Sequence, residues 1–187
     1  AAFMFNASAV YHTFRCVSSR LASTLLQIDI MGIGVMISGS YVPPIWMGFM
    51  CLQKWRALYL SLSVAILILS AVLSLDLMPH QYRTAALTGL VVVGLVPATH
   101  WAVAMPESVA LHLGWRLLLM FACYGGGVFF FVTYFPERAM PQGHITDIWF
   151  NSHTIWHIFV CAAAVSLWIN CEVMRDWYRD GKTMNSC

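Results

Sequence analysis

Charge is what this sequence lacks. Only 10% of its 187 residues are Asp, Glu, Lys or Arg, whereas 60% are hydrophobic. A soluble domain carries about 25% charged residues, so this chain has too few polar groups to coat a globule. It has no Lys/Arg-rich run, and its formal charge of +2 is too small to draw in a polyanion, so no nucleic-acid partner is expected. There is no glycine-rich phosphate loop and no CxxC pair. A signal-peptide pattern is missing too: the chain opens AAFMFNASAVYH, apolar from its first residue. That opening reads as the inside of a helix, so an earlier N-terminal element is expected. Of the six cysteines, Cys51, Cys123, Cys161 and Cys171 lie in or beside apolar runs, where a free thiol behaves as a small hydrophobe. The set is expected to be mostly unpaired.

What the sequence does have is long apolar runs. They point to an all-α membrane protein whose outer surface faces lipid. Polar gaps divide the chain into six hydrophobic segments, the first of them the tail of a span at 1–15. RCVSSR (15–20) is a turn. The run from Leu21 to about Leu52 exceeds the ~20 residues needed to span. It is either one helix kinked at Pro43–Pro44 in GSYVPP or a helix plus an interfacial piece. QKWR (53–56) is read as a turn, Ala57 to Leu75 as a span, and DLMPHQYR (76–83) as a loop. Thr84 to about Ala104 spans, MPESVALH (105–112) is a loop, and Leu113 to Phe135 spans. PERAMPQGHITD (136–147) is the longest loop, and Ile148 to about Val173 is the last span. The expected organisation is one membrane domain over 1–176 and a polar tail over 177–187. Gly32, Gly34, Gly39, Gly89, Gly94, Gly125 and Gly126 either allow close helix packing or reflect the general frequency of glycine in membrane helices. Basic residues do not set the orientation: Arg15, Arg20, Arg83 and Arg138 on one side face six on the other.

An ionisable group inside lipid is costly and marks a functional site by default. Those in or near the segments are His12, Asp29, His100, Arg116, His153, His157 and Glu172. Arg116 and Glu172 lie near helix ends and can snorkel. His100, beside Trp101, reads as an interfacial histidine. The others converge. His153 and His157 are i, i+4 and share a helix face, as do Ser8 and His12. With a turn near 20–21, His12 and Asp29 are expected at equal depth, roughly 12 Å from it. His153 is expected about five residues into the last helix, entering from the same side. Three imidazoles beside an acid make a zinc arrangement, and three protein ligands plus water mark a catalytic site. Asp29 is then the candidate proton acceptor and Ser8 a hydrogen-bond donor. Thr154 follows His153, so this is not the HExxH of soluble metalloproteases.

SAVYHTF (8–14), LQIDIMGIG (26–34), GSYVPP (39–44), GLVPATHW (94–101), FPER (135–138) and DIWFNSHTIWH (147–157) occur in an order that resembles the progestin and adipoQ receptor family. That family includes adiponectin receptors and hemolysin III-like proteins. The resemblance covers nearly the whole chain. It implies a seven-transmembrane helix bundle, here lacking the first helix, with a cytosolic N-terminus and an extracellular or lumenal C-terminus in the plasma membrane or an endomembrane. It also implies one zinc ion held by His12, His153 and His157, with Asp29 and Ser8 beside it. MPQGHITD departs from the family pattern after FPER, by one extra residue and His144; this affects the loop and not the ligands. The adiponectin and other branches remain open.

Two functions compete on this basis. One is a zinc-dependent hydrolase acting on a lipid amide, ceramide-like. The other is a non-catalytic receptor or scaffold in which zinc braces the helices. Implied partners are a ceramide-like or steroid lipid, an extracellular protein ligand and membrane lipids.

Overall fold

The computed structural model describes residues 1–75, 77, 79–140 and 150–179. The expectations on His144, Asp147 and Ile148, and on the tail from residue 180, fall outside these residues. The described chain is helical: α1 (Ala2–Phe14), α2 (Ser19–Gly48), α3 (Gln53–Leu73), α4 (His80–Val93), α5 (Leu95–Ala104), α6 (Glu107–Thr133) and α7 (Ser152–Arg179). Five stretches are long and apolar enough to cross a bilayer: α2, α3, Gln81–Ala104, α6 and α7. Large apolar side chains stand exposed along them, including Ile68 (61%), Leu118 (68%) and Trp168 (64%). Such faces suit lipid and not water. The protein is a multi-pass integral membrane protein.

Several boundaries differ from the sequence expectation. α2 is one continuous helix through Pro43 and Pro44, although each proline removes a backbone donor. Ser18 starts it, its side chain accepting from the Leu21 N–H at 3.2 Å. QKWR is the first turn of α3 and not a connection; the reversal lies at 49–52, and Arg56 N–H already bonds Leu52 O at 2.9 Å. A polar sequence at the interface can be helical because helical backbone bonds need no apolar side chains. MPESVALH is likewise mostly helix. Only Met105 and Pro106 interrupt the chain, and Glu107 sits in the first turn of α6, where the helix dipole favours an acid. α7 begins at Ser152 and runs on to Arg179.

The chain divides into two compact units, Ala1–Ala104 and the part from Met105 onward. In the first, α2 packs against α1 and α3 and touches α4. A Cβ on Gly32 would lie 3.0 Å from Met4 Cα, and one on Gly34 2.2 Å from Ser70 Cβ. These glycines let α1 and α3 approach the α2 backbone. Ser70 is fully buried and satisfies its hydroxyl on Ile66 O at 2.7 Å. The α4–α5 break at Gly94 follows the same logic. Gly94 N–H bonds Val91 O at 3.1 Å instead of continuing the α pattern to Leu90. The Tyr41 hydroxyl of α2 donates to Leu90 O and, at 3.2 Å, to Val91 O. Its ring occupies the space a Gly94 side chain would need.

In the second unit α6 and α7 pack along their length around Met120, Ala163 and Leu167. Gly126 and Gly127 admit α7: a Cβ on Gly126 would lie 2.8 Å from the Phe159 ring, and one on Gly127 3.2 Å from Trp156 Cδ1. Gly39, Gly89 and Gly125 meet nothing within 4 Å. The small residues are therefore of both kinds.

Gly34→Ala should destabilise the protein by about 1–3 kcal/mol, because the new methyl forces α2 and α3 apart. Gly39→Ala, in open space, should be neutral or stabilising by up to about 1 kcal/mol. Thermal unfolding of the purified protein in detergent checks the pair; equal shifts would contradict the close-approach argument.

Candidate functional site

α1 supplies Ser8 and His12, one turn apart on one face. Met4, Ala7 and Ser8 are buried, and Met4 and Ala7 line the place left by the absent Gly32 side chain. Asp29 is one turn before Gly32 on α2. The close contact therefore brings Ser8 to Asp29, and the two side chains are hydrogen-bonded. Ser8 is 4% and Asp29 9% exposed. A buried carboxylate is costly unless it is hydrogen-bonded, and here a hydroxyl meets it. His12 is exposed near the end of α1, its ring edge-on to Tyr11 at 4.9 Å.

The expected equal depth of His12 and Asp29 needs correction. α1 ends at Phe14 and α2 begins at Ser19, so the reversal comes earlier than 20–21. His12 lies within a turn of the helix end, whereas Asp29 is roughly 15 Å along α2 from its start. Ser8, one turn deeper than His12, is the α1 residue that reaches Asp29.

α7 supplies His153 and His157. They stand in its first two turns and not about five residues in, because the helix starts at Ser152. The two rings lie edge to face, centroids 4.8 Å apart at 89°. Trp156 flanks both, at 5.4 Å from His153 and 4.5 Å from His157, and Phe131 of α6 lies 5.8 Å from His153. The seating of Trp156 and Phe159 over Gly126–Gly127 sets the rotation of α7 about its axis. Two imidazoles one turn apart are of the donor type and spacing that zinc takes, so this pair fits two corners of a metal site. Within neither unit do the described residues gather three His, Cys, Asp or Glu side chains into a ligand set.

Two features close this face that sequence reasoning missed. The first turn of α7 leaves backbone donors without helical partners. Thr154 N–H bonds Asn151 Oδ1 at 2.7 Å. Ser152 donates twice to Glu137 Oε1, through its N–H at 2.7 Å and its hydroxyl at 3.0 Å. Asn151 just before an apolar run was a readable cap signal; Glu137 had no local signal beyond its place in FPER.

The other polar residues in the segments have structural accounts. His100 Nδ1 is 2.8 Å from the Tyr59 hydroxyl, among the rings of Phe49, Trp55 and Tyr59. Arg116 donates to His112 O at 2.5 Å and lies over the Trp115 ring. Glu172 pairs with Arg175 at 2.5 Å, both exposed. Cys16, Cys123, Cys161 and Cys171 are free thiols; Cys51 is not, being disulfide-bonded.

Spans this apolar, with a buried hydrogen-bonded acid and a histidine pair inside them, define a polytopic membrane protein with polar groups built into its helices. The chain belongs to the haemolysin-III related family, whose model matches residues 1–168. It is 31% identical over 176 residues to the heptahelical transmembrane protein ADIPOR2 of Oryza sativa subsp. japonica, covering 91% of this chain and 76% of that protein. Identity to the adiponectin receptor protein of Drosophila melanogaster is 33% over 165 residues, 84% of this chain and 36% of the relative. With the progestin and adipoQ receptor-like protein 1 of Caenorhabditis elegans it is 30% over 167 residues, 84% of this chain and 37% of the relative. The chain thus spans well under half of the latter two proteins.

Ser8→Ala and Asp29→Ala should couple. A double-mutant cycle on unfolding free energy should show an interaction of about 0.5–3 kcal/mol, because each partner's removal leaves the other buried without its bond. Strictly additive effects would sever the pair.

Proposed function

We propose that this chain is part of a seven-helix receptor of the adiponectin and progestin receptor type. In this reading it carries one intramembrane zinc ion and hydrolyses a lipid amide of the ceramide class. The observation that carries the reading is the His153–His157 pair, two imidazoles facing one way at the head of an apolar helix. His12 is the third ligand, on the strength of the resemblance of SAVYHTF. Zinc, when bound, supplies a Lewis acid and makes a water acidic enough to lose its proton near neutral pH.

This chain's own residues then have separate tasks. The three histidines would hold the ion. Asp29 takes a proton from the attacking water on a carboxylate oxygen. It returns that proton to the amide nitrogen as the carbon–nitrogen bond breaks, so that a fatty acid and an amine leave. Ser8, hydrogen-bonded to Asp29, orients the carboxylate. The apolar helix faces suit a long-chain substrate.

A second reading is a non-catalytic receptor or scaffold in which zinc braces the helices and a lipid, a steroid or an extracellular protein shifts the bundle. The burial of Asp29 and its bond to Ser8 support it, because a held carboxylate offsets metal charge without moving a proton. The orientation proposed for both readings has a cytosolic N-terminus and an extracellular or lumenal C-terminus, in the plasma membrane or an endomembrane.

Metal analysis of the purified full-length protein should find about one zinc per chain, lost in the His153→Ala, His157→Ala double variant. Zinc retained in that variant rules out the site. Asp29→Asn should keep zinc while fatty-acid release from ceramide falls about 10²–10⁴-fold. Normal hydrolysis by Asp29→Asn removes its role as base, and no hydrolysis by the wild type favours the bracing reading.

A further inference from the structure

We infer that Glu137 is a positioning residue for the histidine pair, acting through the first turn of α7; this rests on the zinc reading above. The chain leaves α6 through Tyr134, which is left-handed with φ 54°. It then makes a single 3-10 turn over Glu137–Ala139. That reversal returns the Glu137 carboxylate to the start of the neighbouring helix. Oε1 receives both the Ser152 N–H and the Ser152 hydroxyl. Ser152 is 4% exposed and is joined directly to His153. A carboxylate on a helix N-terminus gains from the unsatisfied amides and from the dipole together. Glu137 Oε2 is buried and has no hydrogen-bond partner among the described residues, so Ser152 is the contact that holds this side chain.

The consequence for the two histidines is unequal. His157 lies a turn deeper, beside Trp156 and near the Phe159 seat on Gly126–Gly127, and packing holds it. His153 also meets Phe131 and Trp156, but it lies in the first turn, which frays more readily once its tie to Glu137 is lost. Removing the Glu137 carboxylate frees Ser152 and lets His153 rotate off the shared face while His157 stays. Glu137 therefore governs one ligand and not the other. Asn151, the residue just before α7, bonds Thr154 N–H and supports the same turn but does not tie it to α6.

The test uses the full-length protein and a zinc competition titration against a chromophoric chelator, well below the unfolding temperature. Glu137→Ala should weaken zinc binding about 10–100-fold. Glu137→Gln, which keeps an oxygen acceptor for Ser152, should recover most of that loss. In a His153→Ala background, Glu137→Ala should have no further effect, a non-additivity that general destabilisation would not produce. Unchanged zinc affinity in Glu137→Ala, or an equal loss in both backgrounds, overturns the inference. Hydrogen exchange of the amides at 152–155 gives a readout that needs no metal: Glu137→Ala should speed it selectively, and unchanged exchange also overturns the inference. A wild type that binds no zinc, with exchange still faster in Glu137→Ala, defeats the metal reading while leaving the Glu137 cap standing.

Discussion

In a bilayer interior a polar group has no water to fall back on, and every feature of this fold answers that constraint. Backbone groups close on themselves as helix. Hydroxyls close on the preceding turn, as Ser63 does on Tyr59 O and Ser70 on Ile66 O. Where a helix breaks, a side chain covers the gap, as Tyr41 does for the carbonyls before Gly94. Where a helix begins under cover, a carboxylate from another element supplies the acceptor, as Glu137 does for Ser152. Apolar surface cannot hold such helices together, because lipid tails solvate leucine as well as leucine does. What remains is close approach: Gly32 to Met4, Gly34 to Ser70, Gly126 and Gly127 to Phe159 and Trp156.

The same close approaches place the polar residues. Gly32 draws α1 onto α2, and Ser8 reaches Asp29 one turn away. Gly126–Gly127 draws α7 onto α6, and the rotation this sets turns the face shared by His153 and His157 so that His153 meets Phe131. Within each unit, packing and the placing of the polar residues are therefore one arrangement. A side chain added at either set of glycines would disturb a polar group a turn distant.

Much of this was legible from residue type alone. The apolar runs located the helices, and the cost of an ionisable group in lipid singled out His12, Asp29, His153 and His157. The connections were less legible. QKWR and MPESVALH look like loops by polarity, yet helix geometry tolerates polar residues wherever the chain meets the interface. The turn after α1 moved forward because Ser18 caps α2, and the partner of Asp29 became Ser8. The Glu137–Ser152 link was invisible: it joins two elements across a long connection, and no periodicity or local spacing reports such a contact.

The Ser8–Asp29 pair also sharpens the choice between chemistry and bracing. A divalent ion held by three neutral imidazoles leaves its full charge in a medium of low dielectric, where an anion nearby is worth far more than in water. In both proposed readings Asp29 is assigned that charge, and they differ in whether it also takes a proton. The two roles ask different things of the carboxylate. Charge compensation needs only an anion at the right distance, and every hydrogen bond that stabilises the anion helps. A general base must also accept a proton, and each bond donated to its charged form makes it a weaker acceptor. The partner of Asp29 is Ser8, and a hydroxyl can rotate and accept as readily as it donates. Its partner can therefore stay hydrogen-bonded in both protonation states. A lysine or arginine in that position would have locked the aspartate as an anion and left bracing as its only role. A serine leaves the base chemistry open to it.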